Sequence, residues 1–223
     1  MTLISMNIRE RLLCGLYLPF QLLILPAVLA FLPLSLSEAQ LNFLFFCINF
    51  VAVVLICGKF LLGNLKAIGN APVRFVLTVV LVLPLYHLAT TAVGLVIWKL
   101  MPDFFNVNDS SIGALAASDF RLTAIGTVLL VPLTEEVLYR GLIFGSLHRR
   151  SRLVAYVVSI LIFSAVHVTG YIGMYSAKQL LLCALQYVPA GLCLGWAYEH
   201  TGTLFAPTLV HAIINAYGIA AMR

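Results

Sequence analysis

The stretch Thr134-Glu135-Glu136-Val137-Leu138-Tyr139-Arg140-Gly141 places two carboxylates and a guanidinium inside an otherwise apolar run. A charged side chain near the centre of a bilayer costs ~2.5–3.5 kcal/mol on insertion scales, so such residues usually face the interior of a helix bundle. On a helix, Glu136 and Arg140 are four residues apart and can pair along one face. Glu135 is rotated by roughly 100° from that face and lacks this partner. The stretch therefore predicts a helical span in which one glutamate is paired and its neighbour is available.

The composition of the chain is that of a membrane protein. Of its 223 residues, 62% are hydrophobic and 9% are charged, and the mean hydropathy is +1.07. Typical globular proteins are about 45–50% apolar and about 25% charged. We therefore predict an all-α fold, a polytopic transmembrane helix bundle of about seven spans. The net charge of +5 comes from basic residues scattered among the apolar segments, which favours a role in membrane topology over nucleic-acid binding.

The five cysteines also lie within apolar segments and show no CxxC spacing. This placement indicates packed thiols, with neither a disulfide framework nor a structural zinc site. The residues are Cys14, Cys47, Cys57, Cys183 and Cys193.

Seven apolar segments define the predicted spans, and a polar connection separates the third from the fourth. Pro19, Pro26 and Pro33 are expected to bend or end the first span, and Pro132 is expected to loosen the hydrogen-bond ladder just before Glu135. We interpret residues 101–118 as a loop, with or without a short interfacial helix, and divide the chain at this loop into 1–118 and 119–223, which together form one structural unit. The spans cover approximately residues 12–36, 41–62, 73–100, 119–147, 153–169, 178–198 and 203–221.

The lysines and arginines near the span ends predict the orientation, because cytoplasmic loops carry an excess of both. With seven spans, one side receives eight basic residues and the other receives four. This excess predicts a cytoplasmic N-terminus and an external C-terminus, in the plasma membrane if the source is bacterial. The larger group is Arg9, Arg11, Lys59, Lys66, Arg74, Arg149, Arg150 and Arg152, and the smaller is Lys99, Arg121, Lys178 and Arg223.

Polar residues from three different spans fall at similar depths. Glu135 lies 14 residues before the basic cluster that ends its span, roughly 21 Å at 1.5 Å per residue. His167 lies 15 residues beyond that cluster, roughly 22 Å from the same side. His211 and Asn215 are four residues apart on one helix face, at a depth of ~12–18 Å. We expect these four side chains to meet.

These residue types suit the hydrolysis of a peptide bond. A buried glutamate can take a proton from water, and a histidine can orient that water or share the proton. A second histidine and an asparagine amide can donate hydrogen bonds to the oxyanion of a tetrahedral intermediate. Arg140 would keep Glu136 ionised and hold it in place. No serine or cysteine is placed for a catalytic triad, so the expected nucleophile is water.

Three motifs on separate spans are similar to those of the CPBP intramembrane proteases, the group of the type II CAAX prenyl proteases and of bacterial relatives tied to bacteriocin processing and immunity. The resemblance covers about residues 123–217 and includes the lead-in 201–207. The motifs are Glu135-Glu136-x-x-x-Arg140-Gly141, Phe163-x-x-x-His167 and His211-x-x-x-Asn215.

This resemblance implies an intramembrane endopeptidase of the CAAX prenyl protease 2 type, whose catalytic helix core is 119–223. It implies that Glu135 and His167 activate the water and that His211 and Asn215 stabilise the oxyanion. Glu136 and Arg140 would support them, and Phe163 would shape the pocket. The expected partners are membrane lipid and a peptide or protein substrate that is membrane-associated, prenylated or CAAX-like.

Two questions stay open at this point. The family has been classed as metalloproteases, and zinc held by Glu135, His167 and His211 is an alternative to the cofactor-free glutamate mechanism that we expect. The second question is whether the chain is an enzyme, since a non-catalytic membrane partner that confers immunity to a bacteriocin-like peptide would need the bundle without the available glutamate. A proton-coupled transporter fits less well, because we detect no inverted repeats.

Overall fold

The computed structural model describes residues 3–222 and is a bundle of helices. Within these residues, six helices are long and apolar enough to cross a membrane: α1 Ile8–Phe31, α2 Glu38–Asn70, α3 Pro72–Leu100, α5 Phe120–His148, α6 Arg152–Tyr171 and α7 Ala177–Thr201. A shorter apolar helix, α8 Phe205–Ala221, follows, and α4 Val107–Ser118 connects α3 to α5. The predicted all-α bundle with about seven spans is confirmed.

Helix α2 is longer than its predicted span. The sequence placed a basic connection after residue 62, but the helix continues to Asn70 and only Ala71 separates it from α3. The prediction was wrong because glycine is tolerated within a helix, and no proline interrupts the chain before Pro72. The helix instead kinks at Cys57, where φ is −108° and ψ is 20°. Beyond the kink, the N–H of Phe60 donates to the buried Glu10 carboxylate of α1 at 2.8 Å.

Helix α5 departs from α-helical geometry on both sides of its two glutamates. A π-helical turn spans Gly126–Leu130, and the following Pro132 has no N–H to donate to the carbonyl of Thr127 five residues earlier. A second π-helical segment, Val137–Phe144, begins directly after Glu136. The loosened ladder predicted before Glu135 is therefore present.

Other elements pack against α5 at two glycines, closely at Gly141 and at ordinary contact distance at Gly145. Gly141 and Gly145 have the small-xxx-small spacing that favours tight helix packing. A Cβ built on Gly141 would lie 2.9 Å from side-chain atoms of Met6 and Phe60, and one on Gly145 would lie 3.7 Å from the Tyr198 hydroxyl. The N-terminal segment, α2 and α7 thus pack directly against the helix that carries the glutamates.

A tight turn between α7 and α8 positions the last helix. Gly202 adopts a left-handed conformation with φ 71°, which glycine reaches without steric cost. The next residues bind to α2: the Thr203 hydroxyl donates to the Asn64 carbonyl at 2.8 Å, and the Leu204 N–H donates to the Asn64 side chain at 2.7 Å. These bonds fix the start of α8, which carries His211 and Asn215.

The polar connection 101–118 contains the short helix that the sequence left open. Asn106 caps α4, because its side chain accepts the N–H groups of Asn108 and Asp109. Its amide donates to Gln186 on α7 at 2.7 Å, so α4 is tied to the bundle.

The division at residue 118 and the cytoplasmic N-terminus stay predictions, and Arg223, one of the residues counted for orientation, lies outside the described residues.

Candidate active site

Glu135 and Glu136 occupy different environments, as their positions on the helix predicted. The Glu136 side chain is fully buried, whereas that of Glu135 is 21% exposed and lines a cavity of about 630 Å³. The Oε2 atom of Glu135 is shielded from solvent and has no hydrogen-bond partner within the described residues. One carboxylate is therefore held in the protein interior, and the other is available to a molecule in the cavity.

Arg140 holds Glu136 in place. Its Nη1 donates to Glu136 Oε1 at 3.0 Å, and both side chains are fully buried. The guanidinium also lies 4.4 Å from the centre of the Phe163 ring, and its Nη2 contacts the Gly191 carbonyl at 3.4 Å. The ion pair expected from the spacing is present, and the phenylalanine of the second motif forms part of its surroundings.

His211 connects the two glutamates. Its Nδ1 lies 2.9 Å from Glu136 Oε1, and because a carboxylate only accepts, we assign the Nδ1 proton to the histidine. Its Nε2 then faces Glu135 Oε2 across 3.9 Å. That distance is too long for a direct hydrogen bond. The third motif thus contacts both carboxylates of the first.

His167 lies at the C-terminal end of the α-helical part of α6, Arg152–Val166. The last carbonyls of a helix lack backbone donors. The Phe163 carbonyl is one of them, and His167 Nδ1 lies 2.7 Å from its oxygen. Because a carbonyl only accepts, the Nδ1 of His167 is the donor. The imidazole stacks on Tyr187 with ring centres 4.0 Å apart and planes at 24°. This arrangement leaves the Nε2 of His167 as an acceptor, and the residue lines the cavity.

Asn215 lines the same cavity, but part of its amide is already used. Its Nδ2 donates to the Thr127 carbonyl at 2.8 Å, the carbonyl that Pro132 leaves without a donor. An asparagine amide carries two N–H groups, so one N–H and the Oδ1 remain beyond this bond. The structure therefore brings Glu135, His167, His211 and Asn215 around one cavity.

Sequence reasoning missed the residues that support His167. Tyr187 of α7 stacks on it, accepts a hydrogen bond from Asn108 at 3.1 Å and donates to Asp109 Oδ1 at 3.3 Å. No motif marks Tyr187, because its role depends on three elements that meet only in the fold. Helix α4 is thereby linked to the site through one tyrosine.

The side-chain placement also bears on the zinc alternative. Both histidines hold Nδ1 in a hydrogen bond and present Nε2, as metal-binding histidines commonly do. In residues 3–222, however, no three or more His, Cys, Asp or Glu residues come close enough together to hold a metal ion. We therefore derive no step through a metal.

Comparison with known proteins agrees with the motifs. Residues 117–217 match the family of Rce1-like type II CAAX prenyl endopeptidases, and this segment includes all three motifs. The match covers somewhat less than half of the chain. The family resemblance predicted from the three motifs is confirmed, and it supports a CAAX-type membrane protease at the level of the family.

A curated relative extends the comparison to a bacterium. The chain is 30% identical over 95 residues to UPF0177 protein YxdF of Lactococcus lactis subsp. lactis (strain IL1403), which is 43% of this chain and 47% of the relative. The matched region thus spans about half the length of each protein. No solved structure matches the chain.

Proposed function

We propose that the protein is an intramembrane endopeptidase that hydrolyses a peptide bond of a membrane-associated protein or peptide, with water as the nucleophile. The observation that carries this proposal is Glu135, which lines the cavity and whose Oε2, without a hydrogen-bond partner among the described residues, faces His211 Nε2 across 3.9 Å. The matched family is named for prenylated CAAX substrates, and that name supports a protease without identifying the substrate of this chain.

The proposed reaction begins with the activation of water by Glu135. A water molecule in the cavity bonds to the Glu135 carboxylate, because 21% of this side chain is exposed and lines the cavity. Glu135 takes one proton as the water oxygen attacks the carbonyl carbon. His167 presents its unprotonated Nε2 to the cavity and orients the water or shares that proton. Glu135 then returns the proton to the leaving amine.

The developing oxyanion requires hydrogen-bond donors that are already in place. Asn215 has one N–H left for this role after its bond to Thr127. His211 becomes a donor at Nε2 only as an imidazolium, because its Nδ1 proton is held by Glu136. It carries the proton that Glu135 has taken from the water, and it gives that proton back to Glu135 before the amine leaves. The Glu136 carboxylate at 2.9 Å stabilises that positive charge as it forms. Glu136 is therefore a positioning residue, and Arg140 fixes its orientation in turn.

The proposal is tested by hydrolysis of internally quenched peptides with the purified protein in proteoliposomes. Glu135→Gln keeps the size of the side chain and removes its basicity, and general-base catalysis contributes about 10²–10⁴ in rate. We expect kcat/KM to fall by that factor while the yield of folded protein is unchanged. Glu38→Gln, an exposed glutamate at the start of α2, is the matched control and should retain full activity.

Two results would contradict the proposal. Full activity of Glu135→Gln would remove Glu135 as the base. Binding of peptides by the wild type without any cleavage would favour the non-catalytic immunity partner over the enzyme.

A further inference from the structure

Five amide side chains are buried among residues 3–222, and four of them are hydrogen-bonded within the protein. The fifth, Gln21 of α1, is only 6% exposed and lines the cavity that contains Glu135. No hydrogen bond joins its amide to another residue that the structure describes. Buried amides are as a rule satisfied, because an unpaired one is unfavourable. The four bonded amides are Asn49, Asn64, Asn106 and Gln179.

The backbone of α1 leaves Gln21 a second unused group. A π-helical turn spans Phe20–Ile24, and the following Pro26 has no N–H to donate to the Gln21 carbonyl five residues earlier. Helix α5 has the same arrangement, but there Asn215 donates to the carbonyl that Pro132 leaves open. No described side chain donates to the Gln21 carbonyl. Gln21 therefore keeps both a donor and acceptors available at the cavity.

A substrate polypeptide needs such groups. The carbonyls of a helix are engaged in its own hydrogen bonds, so a bond that is to be hydrolysed must lie in an extended segment. The backbone groups of that segment find no water within a membrane and require partners from the protein. An amide side chain matches a peptide group, because it donates through nitrogen and accepts through oxygen. The same cavity is lined by Leu22, Phe45 and Phe46, which suit apolar side chains.

We propose that Gln21 is a substrate-binding residue, whose side-chain amide holds a backbone peptide group of an extended, apolar polypeptide while Glu135 acts at the cleaved bond. The inference rests on the proposed protease function and deepens it. Gln21 lies outside residues 117–217, the segment that matches the family. The substrate then contacts α1 as well as α5, α6 and α8, the helices that carry the four reacting side chains.

The first test replaces the amide by an apolar side chain of similar size. Gln21→Met removes a group that has no partner in the free protein, so the unfolding midpoint in detergent should not fall. A hydrogen bond of ordinary net strength corresponds to about two- to tenfold in affinity. We therefore expect KM for the internally quenched peptides in proteoliposomes to rise by that factor, while kcat changes less.

Two other glutamines provide matched controls for the same change. Gln179→Met removes a buried amide that donates to the Phe105 carbonyl, so the unfolding midpoint should fall. Gln40→Met replaces an exposed amide at the start of α2 and should leave KM unchanged. A purely structural role of Gln21 would instead give the stability loss of Gln179→Met with an unchanged KM.

Ester substitutions locate the peptide group that Gln21 holds. In a series of fluorescent apolar peptides, one amide N–H at a time is replaced by an ester oxygen, which cannot donate. Their affinity for the Glu135→Gln protein, which should not cleave them, is measured by fluorescence anisotropy. At the contacted position the ester should weaken binding by about two- to tenfold. This loss should vanish when Gln21→Met is added.

These measurements separate the inference from the protease proposal. An unchanged KM in Gln21→Met, with equal ester effects whether or not Gln21 is present, would overturn the inference and leave the protease standing. Failure of Gln21→Met to fold would show that the protein itself uses this amide, and the inference would be wrong as well. The expected binding differences without any cleavage by the wild type would overturn the protease and support a peptide site at Gln21.

Discussion

Helices α3 and α5 are both 29 residues long and apolar enough to cross a membrane, yet they have opposite places in the molecule. In the most apolar window of each, 11% of the residues of α3 are buried inside the protein, against 50% for α5. The mean hydropathy of those windows is 2.0 for α3 and 1.4 for α5. The less hydrophobic helix is the more buried one, because it carries the groups that cannot face lipid.

The comparison extends to proline and histidine. Pro84 lies within a continuous α-helical α3, whereas Pro132 follows a π-helical turn whose open carbonyl binds Asn215. His87 of α3 lines the cavity and contacts the Tyr86 and Tyr217 rings. A proline or a histidine thus becomes part of the site only where the neighbouring helices provide polar partners. Comparable substitutions on α3 and α5 should therefore have unequal effects on stability and activity.

The largest difference in stability loss between the two helices is expected for the buried ion pair of Glu136 and Arg140. Glu136→Ala leaves Arg140 buried without its carboxylate, and breaking such a pair costs ~3–5 kcal/mol in soluble proteins. On α3, Thr78→Ala removes a bond to the Arg74 carbonyl, which costs about 1 kcal/mol. Thermal unfolding in detergent should show a much larger loss for Glu136→Ala, accompanied by loss of activity.

A second-site change checks that the lost pair is the cause. Arg140→Met in the Glu136→Ala background removes the stranded charge and should restore part of the stability. Unchanged thermal stability of Glu136→Ala alone would show that the pair contributes little to the fold.

The oxyanion donors should give the next largest effect. Losing one donor typically costs ~10²–10³ in rate, so His211→Ala and Asn215→Ala should each retain weak activity. Because both serve one oxygen, the double variant should lose less than the product of the two. His87→Ala, a cavity histidine on α3, should keep kcat/KM near the wild-type value. A loss in His87→Ala equal to that in His211→Ala would remove the distinction between the two helices.

The glycines of the two helices test packing without any charge. A Cβ on Gly141 would lie 2.9 Å from Phe60, whereas one on Gly94 of α3 meets nothing within 4 Å. Gly141→Ala should destabilise the protein by about 1–3 kcal/mol, as overpacking does. Gly94→Ala should be neutral or stabilising by about 0.5–1 kcal/mol, because alanine loses less entropy in a helix. The unfolding midpoints in detergent measure both, and equal shifts would contradict the packing assigned to Gly141.

The sequence was sufficient for the features that depend on local spacing. Hydropathy predicted the spans, the spacing of Glu136 and Arg140 predicted their pair, and Pro132 predicted the break in the ladder. Depth counted along each span also placed His167 with the glutamates.

It was insufficient where a contact depends on how distant elements pack. The bond from Asn215 to Thr127 and the stack of Tyr187 on His167 each join separate elements. Hydropathy does not specify such neighbours, since lipid and protein interiors favour the same apolar surface. For the same reason the sequence placed Asp109 only within the polar connection 101–118, although it lines the same cavity as Glu135.

The smallest effect is expected from metal removal. A catalytic zinc site needs three protein ligands, and the described Glu135, His167 and His211 do not come together as such a group. We therefore expect elemental analysis of the purified protein to find no stoichiometric zinc, and prolonged chelation to leave kcat/KM unchanged while a zinc protease treated in parallel loses its activity. If zinc were present, His167→Ala and His211→Ala would be equivalent, since each removes a ligand and the ion with it. In the glutamate mechanism they differ, because one residue orients water and the other stabilises the oxyanion. One zinc per chain, lost in both variants but kept in His87→Ala, would overturn the metal-free mechanism and leave the protease proposal in place.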